Sequence, residues 1–600
     1  MEELLAPMQG TVVRVDVRPG DAVRAGQQVA VLESMKMEHV VRAPAAAVVR
    51  RVLIAAADTV SRDQPLLTLE PTGEAAAAEA HERPADPETV RSDLAEVRRR
   101  HRIGLDGERP EAVRRRRERG QRTARENLAA LCDPGTFVEY GPLVVAAQRQ
   151  RRGLDDLIAR TPADGLVAGV AEVNSAPCLV MAYDATVLAG TQGAYNHAKK
   201  DRLFTIAARR RLPVVLFAEG GGGRPGDTDI PTVGGLDVPS FHLFARLSGL
   251  VPLIGIASGR CFAGNAALLG CCDVVIATRD ANIGMGGPAM IEGGGLGSYE
   301  PEEIGPVSVQ VPNGVVDLLV DDEPAAARVA RRYLSYFQGP AADFACADQQ
   351  ALRAAVPENR VRSYDVRAVI SVLADTGSVL ELRPEFGVGI VTALVRIAGR
   401  PLGLIANNPL HLGGAIDADA ADKAARFLQL CDAHGLPVVS LCDTPGFMVG
   451  PDAERTATVR HFSRLFVTGA NLTVPICAVV LRKAYGLGVM AMTGGSLKVP
   501  LATVSWPTGE FGGMGLEGAV RLGFARELAA IADPARRAEA EAEMVRAAYE
   551  RGRALNAASM FEVDDVIDPA DTRDWITAAL AGSRSGDPVP GKRRPNVDTW

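Results

Sequence analysis

The sequence lacks the features of a secreted or membrane-spanning protein. Its nine cysteines contain no C-x-x-C pair, and their odd number argues against both a disulfide framework and a zinc ribbon. There is no run of about eighteen apolar residues. The start, MEELLAPMQG, is acidic where a signal peptide is basic and then apolar. We therefore expect a cytoplasmic protein with reduced cysteines.

A charge imbalance is also missing. The 66 basic and 73 acidic side chains give a net charge of −7, so no overall field draws the molecule to nucleic acid or to a membrane. We expect neither as a partner, and no metal. The 600 residues, of which 47% are hydrophobic and 23% charged, are typical of a folded soluble protein with about four domain-sized units.

The first seventy residues contain an internal repeat with an offset of 37. Val12 matches Val49, Asp21 matches Asp58 and Leu32 matches Leu69, within segments of strand-like alternation. Two copies of one short β motif predict a small sandwich. Lys36 lies between the copies, on the predicted turn where they join.

Two further segments follow this sandwich. Residues 71–88 are rich in Ala, Pro and charge, which predicts a semi-flexible linker. From Val90 to Arg125 the chain is helical and strongly basic. Acidic residues are interspersed there and no aromatics interleave, which favours a solvated or interface helix over a nucleic-acid arm.

The remainder repeats at a separation near 224. The segment LPVV at 212–215 recurs at 436–439, and an acidic residue follows each copy, Glu219 and Asp443. Short β-rich runs alternate with helical stretches in both copies, which is the pattern of parallel α/β units. The sequence therefore predicts two homologous halves that meet near 345–370.

The turn around Lys36 resembles a known carrier. Its sequence, Glu33-Ser34-Met35-Lys36-Met37, is similar to the biotin carboxyl carrier domain, which more often has Ala at the position of Ser34. The resemblance implies covalent biotin on Lys36, attached by a biotin protein ligase. A lipoyl-like or purely structural sandwich is the alternative.

After the linker, the chain resembles the carboxyltransferase β-type subunits of acyl-CoA carboxylases of the propionyl- and long-chain types, as far as about residue 590. The motifs that carry this resemblance are Gly120–Leu128, Gly190–Gly193, Gly259–Gly264, Gly413–Asp417, Arg482–Gly486 and Trp506–Thr508. It implies a multidomain chain with an all-β biotinyl domain at 1–70, a flattened barrel or sandwich, and the linker at 71–88. Two tandem crotonase-like α/β subdomains would follow, 89–345 on the acyl-CoA side and 346–600 on the biotin side.

Crotonase folds offer backbone N–H groups from a glycine-rich turn to a developing oxyanion. By resemblance, Ala263 and Gly264 would hold the thioester carbonyl of the acyl-CoA, and Gly486, Leu487 and Gly488 would hold the ureido oxygen of biotin. Leu487 departs from the usual Tyr-Gly-Gly-Ala-Tyr-Asp motif. The alternative is that these glycines only permit tight turns.

The resemblance implies the biotin-carrier and carboxyltransferase component of an acyl-CoA carboxylase, which transfers CO2 from carboxybiotin on Lys36 to the α-carbon of an acyl-CoA. Met490 stands where relatives have a polar residue, which favours a longer acyl chain. One alternative is the decarboxylase component of a sodium-pump complex. Another is a carrier or assembly subunit whose transferase halves are inactive.

Partners follow from the same resemblance. No ATP-binding region is recognisable, because the glycines at 220–223 lack the Walker spacing and its lysine. We expect a separate biotin carboxylase subunit that uses ATP, bicarbonate and Mg²⁺. Relatives build the active site between protomers, so we expect a homo-oligomer, at least a dimer, and hexamers are common. Lys199 and Lys200 are candidates to meet CoA phosphates, and an ordinary solvated helix face is an equal alternative for them.

Overall fold

The computed structural model describes residues 1–72, 90–224, 226–230, 233–583 and 590–600. Their positions divide the chain into two compact units, Met1–Arg98 and Arg99–Trp600. The predicted linker lies, from residue 73 onward, outside the described residues. Within the described ranges, no helix is long and apolar enough to cross a membrane.

The first unit is built from eight short strands. They are β1 (Glu2–Leu5), β2 (Gly10–Val15), β3 (Ala22–Val23), β4 (Gln28–Ser34), β5 (Met37–Arg42), β6 (Ala47–Val52), β7 (Thr59–Val60) and β8 (Pro65–Pro71). They form two four-stranded sheets, β1-β8-β6-β3 and β5-β4-β2-β7. Buried side chains of both sheets, among them Val12, Val49, Leu32 and Leu69, share one core. The predicted all-β character of this unit is confirmed.

The 37-residue repeat is reproduced in the hydrogen bonds of this unit. Val12 N donates to Asp58 O at 2.8 Å, and Val49 N donates to Asp21 O at 2.9 Å. Each residue of the second bond lies 37 positions from its counterpart in the first, with the two copies exchanged. The copies are therefore related by an approximate twofold axis.

The second unit begins with a helical segment and a first α/β half. Its helices are α1 (Ser92–Ile103), shared with the first unit, α2 (Pro110–Glu118), α3 (Ala124–Leu131), α4 (Leu154–Arg160), α5 (Ala194–Arg210), α6 (Ser240–Ala245), α7 (Gly264–Gly270), α8 (Pro288–Gly293), α9 (Val307–Gln310) and α10 (Glu323–Ser335). The strands are β9 (Val138–Glu139), β10 (Leu166–Val173), β11 (Ala176–Tyr183), β12 (Val214–Phe217), β13 (Gly220–Gly221), β14 (Leu253–Ala257), β15 (Arg260–Phe262), β16 (Val274–Thr278), β17 (Asn282–Gly284) and β18 (Leu318–Val320). The main sheet has the order β18-β16-β14-β12-β11-β10-β9, and β13-β15-β17 form a small parallel sheet.

The second half has corresponding elements. Its helices are α11 (Val366–Leu373), α12 (Ala418–His434), α13 (Pro451–Glu454), α14 (Thr458–Ala470), α15 (Gly486–Met492), α16 (Leu516–Gly523), α17 (Ala525–Ala530), α18 (Pro534–Arg551), α19 (Ala554–Ser559) and α20 (Thr572–Ala579). The strands are β19 (Leu380–Leu382), β20 (Ile390–Ile397), β21 (Arg400–Asn407), β22 (Val438–Thr444), β23 (Ile476–Tyr485), β24 (Ala502–Ser505), β25 (Glu510–Gly512) and β26 (Asp565–Val566). The sheet has the order β19-β20-β21-β22-β23-β24-β26, and β25 pairs with β23.

The predicted duplication is visible in the lengths and ends of these elements. Helices α5 and α12 both have 17 residues and lie 224 positions apart. Each ends at a residue in the left-handed conformation, Arg211 (φ 52°) and Gly435 (φ 73°). The hairpins β10–β11 and β20–β21 are also 224 positions apart. The parallel strands of both sheets confirm the predicted α/β class.

Buried polar contacts join the two halves. Arg383 Nε donates to Asp317 Oδ1 at 2.8 Å, and Arg426 Nη2 donates to the backbone oxygen of Asp273 at 2.7 Å. His434 Nε2 lies 3.0 Å from Asp273 Oδ2. One apolar core continues from the first half into the second. The halves therefore form one compact unit.

Candidate functional site

Lys36 stands at the tip of the hairpin formed by β4 and β5. Ser34 pairs with Met37, so that Met35 and Lys36 make a two-residue turn. Both turn residues have positive φ, 52° and 65°, which matches the type I′ turn that suits the twist of a hairpin. Lys36 is exposed, and Met35 is 95% exposed. The turn therefore presents the lysine together with an uncovered apolar side chain.

The predicted first-half donors lie where β15 runs into α7. Ala263, between them, has φ 51° and ψ −123°, an uncommon conformation for a residue with a side chain. Its N–H donates to Gly284 O at 3.0 Å. Gly264 and Asn265 begin the helix, and the amides of a first helical turn have no intrahelical acceptor. Of the predicted pair, the Ala263 amide is thus already engaged, whereas the Gly264 amide has no intrahelical acceptor. Asn265, which the sequence argument did not name, presents a second amide of the same kind.

Close packing around this turn requires small residues. A Cβ on Gly222 would lie 2.8 Å from Ala263 Cβ. A Cβ on Gly264 would lie 3.2 Å from Gln192 Nε2 and 3.3 Å from Phe241 Cζ. Within the glycine-rich stretch at 220–223, Gly222 is therefore the residue that approaches the turn closely.

A cavity of about 840 Å³ lies beside this turn. Its walls include Glu219, Gly220, Gly221 and Phe262, and its rim carries arginines at 119, 260 and 279. This volume is typical of a site for a sizeable ligand.

Glu219 is the buried acid of this cavity. Arg116 of α2 reaches it with Nη1 2.5 Å from Oε1, and Arg116 Nη2 lies 3.5 Å from Glu323. Burial nevertheless raises the pKa of Glu219 to about 7, against the opposing effect of Arg116. In the basic stretch, α1 buries no residue, whereas Arg116 of α2 is buried. The stretch therefore packs against the first half at Arg116.

The second-half turn follows the same plan. Tyr485 pairs with Gly512 in the parallel ladder of β23 and β25, and Gly486 (φ 55°) directly follows it. Gly486 stands where Ala263 stands in the first half. Leu487 and Gly488 then occupy the places of Gly264 and Asn265. The amides of these two residues lie in the first turn of α15 and have no intrahelical acceptor.

Side chains around the second turn explain its residue choices. A Cβ on Gly488 would lie 2.7 Å from Gly446 Cα, so in this chain the alanine of the family motif would require the backbone at Gly446 to shift. Leu487 is 60% exposed and points away from the core. Leucine is therefore accommodated between two glycines, and its backbone N–H is unaffected by the departure from the family motif.

An apolar cavity of about 660 Å³ adjoins the second turn. Leu487 and Met490 form one wall, and further apolar residues complete it: Val489, Leu497, Phe511, Leu516, Val520 and Phe524. Tyr485 OH donates to Glu510 Oε2 at 2.9 Å behind this wall, and burial raises the pKa of Glu510. Met490 thus faces a largely apolar space.

The acidic residue that repeats at 443 is held by two cations. Asp443 Oδ2 lies 3.1 Å from Arg482 Nη2, and Asp443 Oδ1 lies 2.6 Å from Lys483 Nζ. Asp443 is fully buried. This network fixes the end of β23 immediately before the second turn.

Lys199 and Lys200 are placed differently from the sequence expectation. Both side chains are buried in α5, with Lys200 fully enclosed. Lys199 Nζ donates to the backbone oxygens of Gly141, at 3.3 Å, and Leu166. Both ammonium groups therefore point into the protein, which does not fit a role on CoA phosphates.

Comparison with known families agrees with these two units. A family model described as "Carboxyl transferase domain" matches residues 115–594. The chain belongs to this carboxyl transferase family. A second model, "Biotin-requiring enzyme", matches residues 2–69. The protein is thus a biotin-dependent carboxyltransferase fused to a biotin carrier, and biotin is its covalent cofactor.

Individual relatives of this carboxyltransferase are similarly named. The methylmalonyl-CoA carboxyltransferase 12S subunit of Propionibacterium freudenreichii subsp. shermanii is 34% identical over 484 residues, covering 78% of this chain and 90% of the relative. A solved transcarboxylase 12S, described as a hexamer with methylmalonyl-coenzyme A bound, has 30% identity and a TM-score of 0.73 over 84% of this chain and 99% of that one.

One solved structure resembles both units of this carboxyltransferase. It is described as a single-chain, multi-domain long-chain acyl-CoA carboxylase, with 58% identity and a TM-score of 0.78 over 96% of this chain. The chain spans 56% of the length of that carboxylase.

Proposed function

We propose that this carboxyltransferase carboxylates the α-carbon of a long-chain acyl-CoA. The observation that carries the proposal is the apolar 660 Å³ cavity beside the second turn, where Leu487 and Met490 replace smaller or polar residues. Transfer of an acyl chain from water to such an apolar wall lowers the free energy. The 58% identity to a protein described as a long-chain acyl-CoA carboxylase supports the same substrate class.

Lys36 is the attachment point for biotin in this proposal. It is the only lysine among residues 1–72, and it lies exposed at the tip of a rigid turn, within reach of a biotin protein ligase. An exposed lysine can be reached for modification, and formation of an amide bond removes the charge of its side chain. When attached, biotin carries a carboxyl group to the acceptor. The residues of β4 and β5 hold that arm clear of the sheet.

The two turns act as paired oxyanion sites. Each half adopts a crotonase-like role, in which the amides of Gly264 and Asn265 hold the thioester oxygen as negative charge develops on it. The amides of Leu487 and Gly488 would hold the ureido oxygen of biotin. Ala263, whose amide is engaged by Gly284 O, and Gly486, which stands at the equivalent place, set the direction of the donors that follow. Such donors cost no reorganisation during the reaction.

Partners complete the reaction. A biotin carboxylase with ATP, bicarbonate and Mg²⁺ supplies the carboxyl group, and the transferase assembles as a homo-oligomer, with the hexamer described for the 12S relative as its model. The described cysteines are all free, which agrees with a reducing, cytoplasmic setting.

A substrate series tests the proposed acyl chain. The purified protein is combined with its biotin carboxylase partner, and carboxylation of acetyl-, propionyl-, octanoyl- and palmitoyl-CoA is measured. The kcat/KM values of the wild type are compared with those of Met490→Asp. We expect palmitoyl-CoA to be preferred, and the variant to shift preference towards the short substrates. An unchanged order of kcat/KM in the variant would contradict the assignment of the cavity to the acyl chain.

A further inference from the structure

A fully buried lysine lies beneath the first-half turn. Lys200 Nζ donates to Gln192 Oε1 at 2.8 Å and to Tyr183 OH at 3.1 Å. No carboxylate within the described residues forms an ion pair with it, and burial lowers its pKa to about 7. Burying an ammonium group without an ion pair costs free energy. A role other than stability can explain why it is there.

The hydrogen bonds continue from this lysine to the turn itself. Gln192 Nε2 donates to Asn265 Oδ1. Asn265 Nδ2 in turn donates to the backbone oxygens of Gly190, at 3.1 Å, and Glu219, at 2.8 Å. All three side chains are buried. This series of hydrogen-bonded side chains, the polar chain, therefore extends without a break from α5 to the first turn of α7.

Lys200 determines how the side-chain amides of Gln192 and Asn265 are oriented. Lys200 Nζ donates to Gln192 Oε1, and in its charged form it can only donate, so the carbonyl end of the Gln192 amide faces it. The NH2 end then faces Asn265, whose own carbonyl must face Gln192 and whose NH2 must face the two backbone oxygens. One cation thus fixes the orientation of two amides that could otherwise flip.

The second half shows that the fold does not require this chain. The repeat places Ile416 at the position of Gln192, Ala424 at that of Lys200 and Gly488 at that of Asn265. The second-half turn forms all the same, with Gly488 packed against Gly446. The series of polar side chains is thus specific to the half whose turn would hold the thioester oxygen.

We propose that Lys200, Gln192 and Asn265 are positioning residues, which hold the first-turn amides of α7 at the place where charge develops on the thioester oxygen. Gln192 is also the group that a Cβ on Gly264 would meet, so the chain contacts both donor residues. This inference rests on the proposed function of the first turn. It adds three buried side chains to a site otherwise made of backbone.

The test compares Asn265→Gly and Lys200→Met with the wild type. Asn265→Gly copies Gly488 of the second half, keeps the backbone amide and adds no charge. We expect kcat to fall by between about tenfold and a hundredfold in each variant, since small displacements of a site group have effects of that size, while KM for acyl-CoA changes by less than about twofold. The double variant should be no slower than the slower single variant, because both break one chain.

Lys423→Met is the matched control. Lys423 is also a buried lysine, in the second half, and it lines neither of the cavities beside the two turns. Its kcat should equal that of the wild type. If Asn265→Gly and Lys200→Met fold, by thermal unfolding, and keep the wild-type kcat, the positioning role is wrong. If the wild type itself transfers no carboxyl group, the proposed function fails instead.

Discussion

At the scale of single residues, the exposed turn of the carrier makes the sharpest prediction. Lys36→Arg keeps the charge and the turn but cannot form the amide bond to biotin. Intact-mass measurement after incubation with biotin protein ligase should show no added biotin, and coupled carboxylation should be lost. Reaction with free biotin should be retained, because the turns of the second unit are unchanged. Lys498→Arg, at another exposed lysine, should still be biotinylated; loss of the free-biotin reaction in Lys36→Arg would show another role for the lysine.

A second residue-scale prediction concerns the buried Lys423. Its Nζ has no hydrogen-bond partner among the described residues, and burial lowers its pKa to about 7. The unfolded chain therefore binds more protons between pH of about 7 and 10.5, and the lysine's contribution to stability rises with pH in that window.

Lys423→Met removes this dependence. The variant should be more stable than the wild type at a pH of about 7, and the difference in free energy of unfolding should shrink as the pH approaches 10. Urea unfolding at three pH values measures it. A difference that is independent of pH would mean that Lys423 remains charged, or neutral, throughout.

At the scale of elements, the close approach of α15 to the loop after β22 is the feature most sensitive to change. A Cβ on Gly488 would lie 2.7 Å from Gly446 Cα, and backbone atoms cannot move aside as a flexible side chain can. Gly488→Ala should displace the first turn of α15 and reduce kcat by about a hundredfold. Gly518→Ala in α16, where a Cβ would meet only Met514 Cε at 3.4 Å, is the control and should keep full activity. Equal activities in the two variants would contradict the assigned turn.

The sequence predicts the repeats well because each repeat leaves the same residue types at the same spacing. The copies around Val12 and Val49, and the helices α5 and α12, follow directly from it. It does not predict that the Ala263 amide is engaged by Gly284 O, since that depends on strand register in three dimensions. The sequence argument did not select Asn265, because it looked for small residues in a glycine-rich turn. The importance of Asn265 is visible only from the hydrogen bonds of its side chain. The sequence argument expected Lys200 either at CoA phosphates or on a solvated helix face, because burial of a lysine is rare.

At the scale of the whole molecule, the C-terminal residues join the two halves of the transferase. Val597 is buried in the shared core. Its N–H donates a hydrogen bond to Ser248 Oγ at 3.0 Å. Asp598 meets Gln429 and Arg464 of the second half. Val597→Ala should lower the free energy of unfolding by about 1–3 kcal/mol, with KM unchanged. Thermal unfolding measures it, and an unchanged Tm would show that these residues do not hold the halves together.

The central claim is that this chain is a working carboxyltransferase with long-chain specificity, and the reverse transfer reaction tests it most directly. The purified protein is incubated with free biotin and with malonyl-, methylmalonyl- or α-carboxypalmitoyl-CoA, and the decarboxylated acyl-CoA is followed by mass spectrometry. We predict biotin-dependent conversion, fastest with α-carboxypalmitoyl-CoA. Conversion of none of the three by a protein that carries biotin on Lys36 would contradict the account and favour a carrier or assembly role.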